Sequence, residues 1–217
     1  LPALTGRVHG GNQPVSHSTL QLYAAGATGY ASAATPLISS GSYDLGGAPG
    51  CVASGTQTCY ASVLTDANGN FTITGDYSCP SSSAQVYVVA TGGNPGLAAG
   101  TNNTALAMMA ALGSCGALKA TTDITINEPT TVARVWALAP FMSGYANVGA
   151  SGTNSAGVAQ AFTNAGMLVN ISAGSVMSGT TAAPTFGRLR CRRSPSGIAS
   201  SKNVFDYSLF PIAYSLP

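Results

Sequence analysis

The residues able to do acid–base or nucleophilic work are few in this 217-residue chain: His9 and His17, six acids (Asp44, Asp66, Asp76, Asp123, Glu128, Asp206) and five cysteines. A hydrolytic triad needs an imidazole held between a hydroxyl and a carboxylate. Both histidines fall near the first strand and turn, where a surface turn histidine is the simpler reading. Paired carboxylates for glycoside chemistry must come from the six acids, and such clefts are ordinarily richer in acids and aromatics. No G-x-S-x-G, H-E-x-x-H, Walker A loop or Cys-x-x-Cys occurs. Asp66, Asn68 and Asn70 are spaced like calcium-loop oxygens, but the glycine at the sixth position and the distal glutamate are missing. A tight turn accounts for the same three residues. The cluster Arg188, Arg190, Arg192 and Arg193 has the charge to hold phosphate or an anionic polymer. Without interleaved aromatics it reads as a solvated linker or a contact to an acidic neighbour. The sequence therefore assigns no catalytic residue, no metal ligand, no cofactor and no nucleic-acid partner.

The cysteines suit an oxidising compartment. Cys51 and Cys59 bracket a Gly/Ser/Thr-rich loop, while Cys79 and Cys115 flank a Val-rich strand and the segment after it, so both pairs are candidate disulfides. Cys191 is left over. Zinc would need closely spaced ligand pairs or a histidine cluster, and neither is present.

The element that organises the chain is residues 61–75, ASVLTDANGNFTITG. Asn68-Gly69 between β-branched runs predicts a β-hairpin with a primed turn, with Phe71 and Ile73 facing a core. Further strands are expected at 3–9, 19–25, 60–65, 70–75 and 84–91. Residues 26–60 are rich in Gly, Ala, Ser and Pro and read as a long loop, or as one that contains a short strand at 36–40. Residues 105–112 have the composition of a short buried helix ended by Gly113. Thr121-Thr122-Asp123-Ile124-Thr125-Ile126-Asn127 alternates as a closing strand. Glu128-Pro129 suits a helix start, followed by an inward stripe of Val132, Val135, Trp136 and Leu138 or Ala139. A second helix is expected at 155–169, with Val158, Phe162 and Leu168 or Val169 inward. These helices should cover the end or one face of a sandwich.

The order of motifs carries a resemblance. Leu4-Thr5-Gly6-Arg7-Val8, the Gly11-Asn12-Gln13-Pro14-Val15 turn, Thr19-Leu20-Gln21-Leu22-Tyr23, then Thr65-Asp66-Ala67-Asn68-Gly69-Asn70-Phe71 and Ala84-Gln85-Val86-Tyr87-Val88-Val89-Ala90 follow one another. This order resembles the carboxypeptidase regulatory-like domain, a transthyretin-like or Cna-B-like β-sandwich of secreted bacterial proteins. The resemblance spans residues 3–127 and implies a mainly β, Ig-like or transthyretin-like antiparallel sandwich serving as stalk, spacer or adhesion module. It brings no catalytic residue. The expected organisation is a sandwich at 1–127 with a long loop at 26–60, a helical extension at 128–175 packed on it, and a tail at 176–217.

Charge is the abnormal quantity. Asp, Glu, Lys and Arg make up 6% of residues, against about 25% in ordinary soluble domains. Low net charge lets copies associate. Extracellular fibre, coat and adhesion proteins share this composition. The opening Leu1-Pro2, without an initiator methionine, suggests a mature secreted product, and no apolar run is long enough to span a bilayer. Asn70, Asn102 and Asn170 begin N-x-S/T sequons, a sign of surface exposure.

The tail changes character. Residues 188–217 carry Arg188, Arg190, Arg192, Arg193 and Lys202 against Asp206, a balance of +4, while residues 1–187 balance at −2. Beyond the basic stretch, Val204, Phe205, Tyr207 and Leu209 and then Phe210, Ile212, Tyr214 and Leu216 form apolar, strand-like alternation offset at Pro211, which suits an edge or bulge. Exposed, such a ribbon is an aggregation hazard. The expectation is an extracellular structural subunit that polymerises with copies of itself. Residues 204–216 would donate a strand to the next subunit, with residues 1–8 as the fallback donor. A monomeric adhesion or glycan-binding module of the envelope is the alternative, and a hydrolase with a dispersed site the third.

Overall fold

In the computed structural model the described residues are 1–38, 63–74 and 77–177, all within a unit spanning Leu1–Pro184. In chain order the strands are β1 (Leu4–Gly10), β2 (Gln13–Pro14), β3 (Thr19–Ala24), β4 (Thr35–Pro36), β5 (Val63–Leu64), β6 (Asn70–Ile73), β7 (Gln85–Thr91), β8 (Ala107–Ser114) and β9 (Asp123–Ile126). Helix α1 (Glu128–Leu138), β10 (Met142–Gly144), β11 (Asn147–Val148), α2 (Ser155–Leu168), β12 (Val169–Asn170) and β13 (Ser175–Val176) follow. Among the described residues the fold is mainly β with two α-helices.

Two sheets face each other. In the first, β1 lies between β6 and β9, with β2 folded back on its end. In the second the order is β4-β3-β7-β8, and β5 also pairs with β3. Strand periodicity sends alternate side chains to opposite faces. From β1, Leu4 and Val8 therefore point inward while Thr5 and Arg7 face out. They meet Leu20, Leu22, Val86, Val88 and Ala110 of the second sheet in one apolar cluster. The opposite parity of that sheet, Tyr87, Val89 and Met109, packs under the helices with Leu138, Val158 and Phe162. The second sheet is thus buried on both faces, and the two helices cover its outer one.

Four expectations are corrected. Residues 107–114 are a strand, not part of a helix. An uninterrupted apolar run reads equally as a buried helix or as a strand covered on both sides, and here Met108 and Ala110 fill one core while Met109 fills the other. The Asp66–Asn70 turn does not close a hairpin within one sheet, because β5 pairs with β3 and β6 with β1. Only Gly69 takes positive φ, at 76°, so the turn lacks the second left-handed residue of a type I′ hairpin. The third correction concerns the all-antiparallel sheet, since β9 runs parallel to β1, Ile124 opposite Gly6. Gly6 permits this approach, as a Cβ there would strike the Ile124 carbonyl.

The fourth is the phase of α1. Its buried residues are Thr130, Ala133, Arg134, Ala137 and Leu138, whereas Val132 and Trp136 are 62% and 54% exposed. Asn127 caps the helix in a reciprocal box with Thr130, and the Asn127 amide donates to the Gly174 carbonyl at 2.7 Å. The Thr131 hydroxyl donates to the Asn127 carbonyl at 2.7 Å and accepts the Met109 amide at 3.0 Å. Those ties fix which side of α1 meets the sheet. In α2 the expected Val158 and Phe162 are buried, joined by Ala161 and Ala165. Within 26–38 the chain adds β4 to the edge of β3 and buries Leu37 and Ile38.

Candidate functional site

The described residue with the most unusual chemistry was missed by the sequence reading. Arg134 is fully buried, with its guanidinium carbon 3.8 Å from the centroid of the Tyr87 ring. One guanidinium nitrogen points at the Met109 sulfur, a weak acceptor, while Nε and Nη2 have no hydrogen-bond partner among the described residues. Tyr87 stacks on Tyr23 at 5.4 Å and donates its hydroxyl to the Tyr145 carbonyl at 2.8 Å. Burial pushes the Arg134 pKa well below its ordinary value, to about 10, opposed by the contact with Tyr87. Burial pushes the Tyr87 phenol up, with the nearby positive charge working against it. The sequence signal was positional: Arg134 lies four residues after Thr130 and four before Leu138, inside the buried stripe.

A groove of about 570 Å³ runs beside β8, lined in unbroken succession by Ala110 to Ser114 and walled by Phe162 and Gly166 of α2 and by Ile171. The ladder to β7 shifts register between Ala111 and Gly113, and through this bulged run β8 meets the groove with its backbone edge as well as its side chains. Among the described strands β8 pairs with β7 alone. The Met109 amide, donated to Thr131, points away from β7. Ala111 repeats that orientation two residues on, and no described residue bonds its outward amide and carbonyl.

The residues singled out from the sequence are mostly not brought together. Cys79 and Cys115 are joined, with Cα atoms 6.0 Å apart at a sequence separation of 36, inside the range a disulfide spans. Cys51, Cys59, Cys191 and the donor residues Val204, Phe205, Tyr207, Leu209, Phe210, Ile212, Tyr214 and Leu216 lie outside the described residues, as do Asp44, Asp76, Asp206 and the arginine cluster. His9 is half-buried and His17 exposed, and neither imidazole bonds a carboxylate among the described residues. Glu128 Oε1 accepts the Gly11 amide at 2.8 Å, and Asp123 pairs with Arg7 at 3.5 Å on the surface.

The Asp66 carboxylate accepts the Asn68 and Asn70 amides, each at 2.8 Å, and the Asn70 side-chain amide at 3.2 Å. Chiefly the Asn70 amide lowers its pKa. Oxygens engaged by N–H donors serve a turn. Among the described residues no group of three or more His, Cys, Asp or Glu is gathered as metal ligands. The asparagines of the three sequons brace turns: Asn102 Oδ1 accepts the Gly93 amide at 2.6 Å and Asn170 Oδ1 the Ser172 amide at 3.0 Å.

No protein-family model, curated protein or solved structure matches the chain. Among the described residues no helix is long and apolar enough to cross a membrane.

Proposed function

We propose that this chain is a secreted structural subunit of an extracellular filament or surface fibre, assembled head to tail with copies of itself by strand donation. The observation that carries the reading is the apolar alternation from Val204 to Leu216, placed behind a basic stretch in a chain with only 6% charged residues. Backbone ladder bonds supply affinity in β-augmentation and alternate side chains supply specificity. A head-to-tail contact that does not close yields an open helical polymer. The facing sheets are compatible with the transthyretin-like or Ig-like class of the carboxypeptidase regulatory-like domain, although β9 beside β1 departs from a purely antiparallel sandwich. The disulfide fits an oxidising compartment. As fallback donor, residues 1–8 fare worse: β1 is already flanked by β6 and β9 in its own sheet.

Deleting residues 202–217 should leave soluble monomers by sedimentation velocity and no fibres by negative-stain microscopy. A truncated chain that still polymerises removes this donor. A second reading, a monomeric adhesion or glycan-binding module, draws on the exposed rings of Tyr30, Trp136 and Tyr145. It predicts one compact species in light scattering and a signal on a glycan array.

A further inference from the structure

We infer that the acceptor for this exchange is the outer edge of β8, where residues 110–114 line the groove beside α2, and that its occupant is the 204–216 segment of a second copy. This rests on the fibre reading above and names the surface that reading leaves open.

Three observations converge on β8. Edge strands are ordinarily blunted by charge, proline, bulges or short length; β8 has eight residues, Ala-Met-Met-Ala-Ala-Leu-Gly-Ser, with neither charge nor proline, and its one bulge comes after Ala111, where Gly113 pairs with Val86. The outward polar groups of Ala111 are directed into the groove beside it, so a strand laid there meets a ladder site with no other described partner. The walls mix small and large apolar residues: Ala110, Ala111, Ala159, Ala165 and Gly166 leave space between Phe162 and Ile171, and the donor offers Phe205, Tyr207, Phe210 and Tyr214. Large side chains entering the spaces over the small residues give the pocket specificity of strand addition.

A second copy is favoured over another protein by charge, because the tail balances at +4 and the rest of the chain at −2, a pairing of opposite signs that steers copies together. Five residues of β8 span about 17 Å at the strand rise, so the groove takes part of the donor and the remainder runs along the neighbouring surface.

The test uses the full chain carrying Tyr207→p-benzoylphenylalanine, mixed as equal amounts of ¹⁴N- and ¹⁵N-labelled protein, irradiated after assembly and mapped by mass spectrometry. Crosslinks between differently labelled copies at residues 110–114 or 159–166 are expected. Same-copy crosslinks at those residues overturn the proposal, since the occupant is then the chain's own tail. Between-copy crosslinks confined elsewhere also overturn it but leave the fibre reading standing. Absence of any assembled species sinks the fibre reading and the acceptor with it.

A second variant, Gly166→Trp, fills the groove from a helix position where an added Cβ meets nothing within 4 Å. It should raise the concentration needed for assembly at least tenfold with an unchanged thermal midpoint. Unaltered assembly by a folded variant rules the groove out.

Discussion

A buried polar atom has to be partnered, and Thr65 shows how this chain does it. Its hydroxyl donates to the Val15 carbonyl at 2.6 Å and accepts the Ser18 amide at 2.8 Å. Thr65→Val keeps the shape and orphans both, so urea denaturation should show a loss of about 1–3 kcal/mol. Arg134 is the opposite case, a buried cation whose ring contact is worth about 2 kcal/mol against a desolvation penalty of several. Arg134→Met should therefore match or exceed the parent by up to about 2 kcal/mol. Arg134→Ala, which leaves a cavity, should lose about 2–4 kcal/mol. A marked loss in Arg134→Met would show that the charge itself holds α1 on the sheet. At Asp66 the direction of the pH effect follows from the lowered pKa. Its stabilisation is present above the ordinary carboxylate pKa of about 3.9 and fades as pH falls through the lower folded value. Asp66→Asn should thus lower the urea midpoint at pH 7 and leave it nearly unchanged at pH 2. Equal losses at both pH values would contradict the carboxylate's role.

At the scale of elements, two contacts decide how the strands assemble. The parallel neighbours β1 and β9 approach so closely at Gly6 that any Cβ meets the Ile124 carbonyl. Gly6→Ala should destabilise by about 1–3 kcal/mol through overpacking, read from the denaturation midpoint. The Cys79–Cys115 bond ties the segment before β7 to the residue after β8, a sequence separation of 36. Loop-closure entropy makes such a link worth about 3–4 kcal/mol. Cys79→Ala with Cys115→Ala should lose that much under oxidising conditions and nothing further on reduction. The same strands show why element type was hard to read. Ala, Met and Leu favour helices by propensity, yet residues 107–114 are a strand because cores on both sides of it demand apolar side chains of both parities. The turn at Asp66 to Asn70 was legible as a turn; which sheets it joins was not, since Asn-Gly is local and strand partnership is not.

Across the whole molecule, association follows from what is absent from the surface as much as from what is present. With 6% charge, self-repulsion between copies is weak, so assembly should depend little on salt once copies are in contact. The oppositely charged tail and body should make its rate fall as salt rises from 50 to 500 mM, the screening length shrinking from roughly 14 to 4 Å. Light-scattering traces across that range would check both halves of the statement. A rate indifferent to salt would remove charge steering and leave the strand contact alone.

The sequence alone determined what local pattern can determine. It placed β1, β3, β6, β7 and β9 through their alternation, α1 and α2 through their starts and apolar spacing, and it paired Cys79 with Cys115 as candidate partners around a Val-rich strand. It also showed how few acids, histidines and lysines there are for chemistry. Tertiary structure decided the rest. It set the parallel placement of β9, the division of β5 and β6 between two sheets, the strand character of β8, and the turn of α1 that buries Arg134 and leaves Trp136 exposed. Each of these depends on which distant surface an element meets. Burial is a property of that meeting, and residues far apart in the chain supply it.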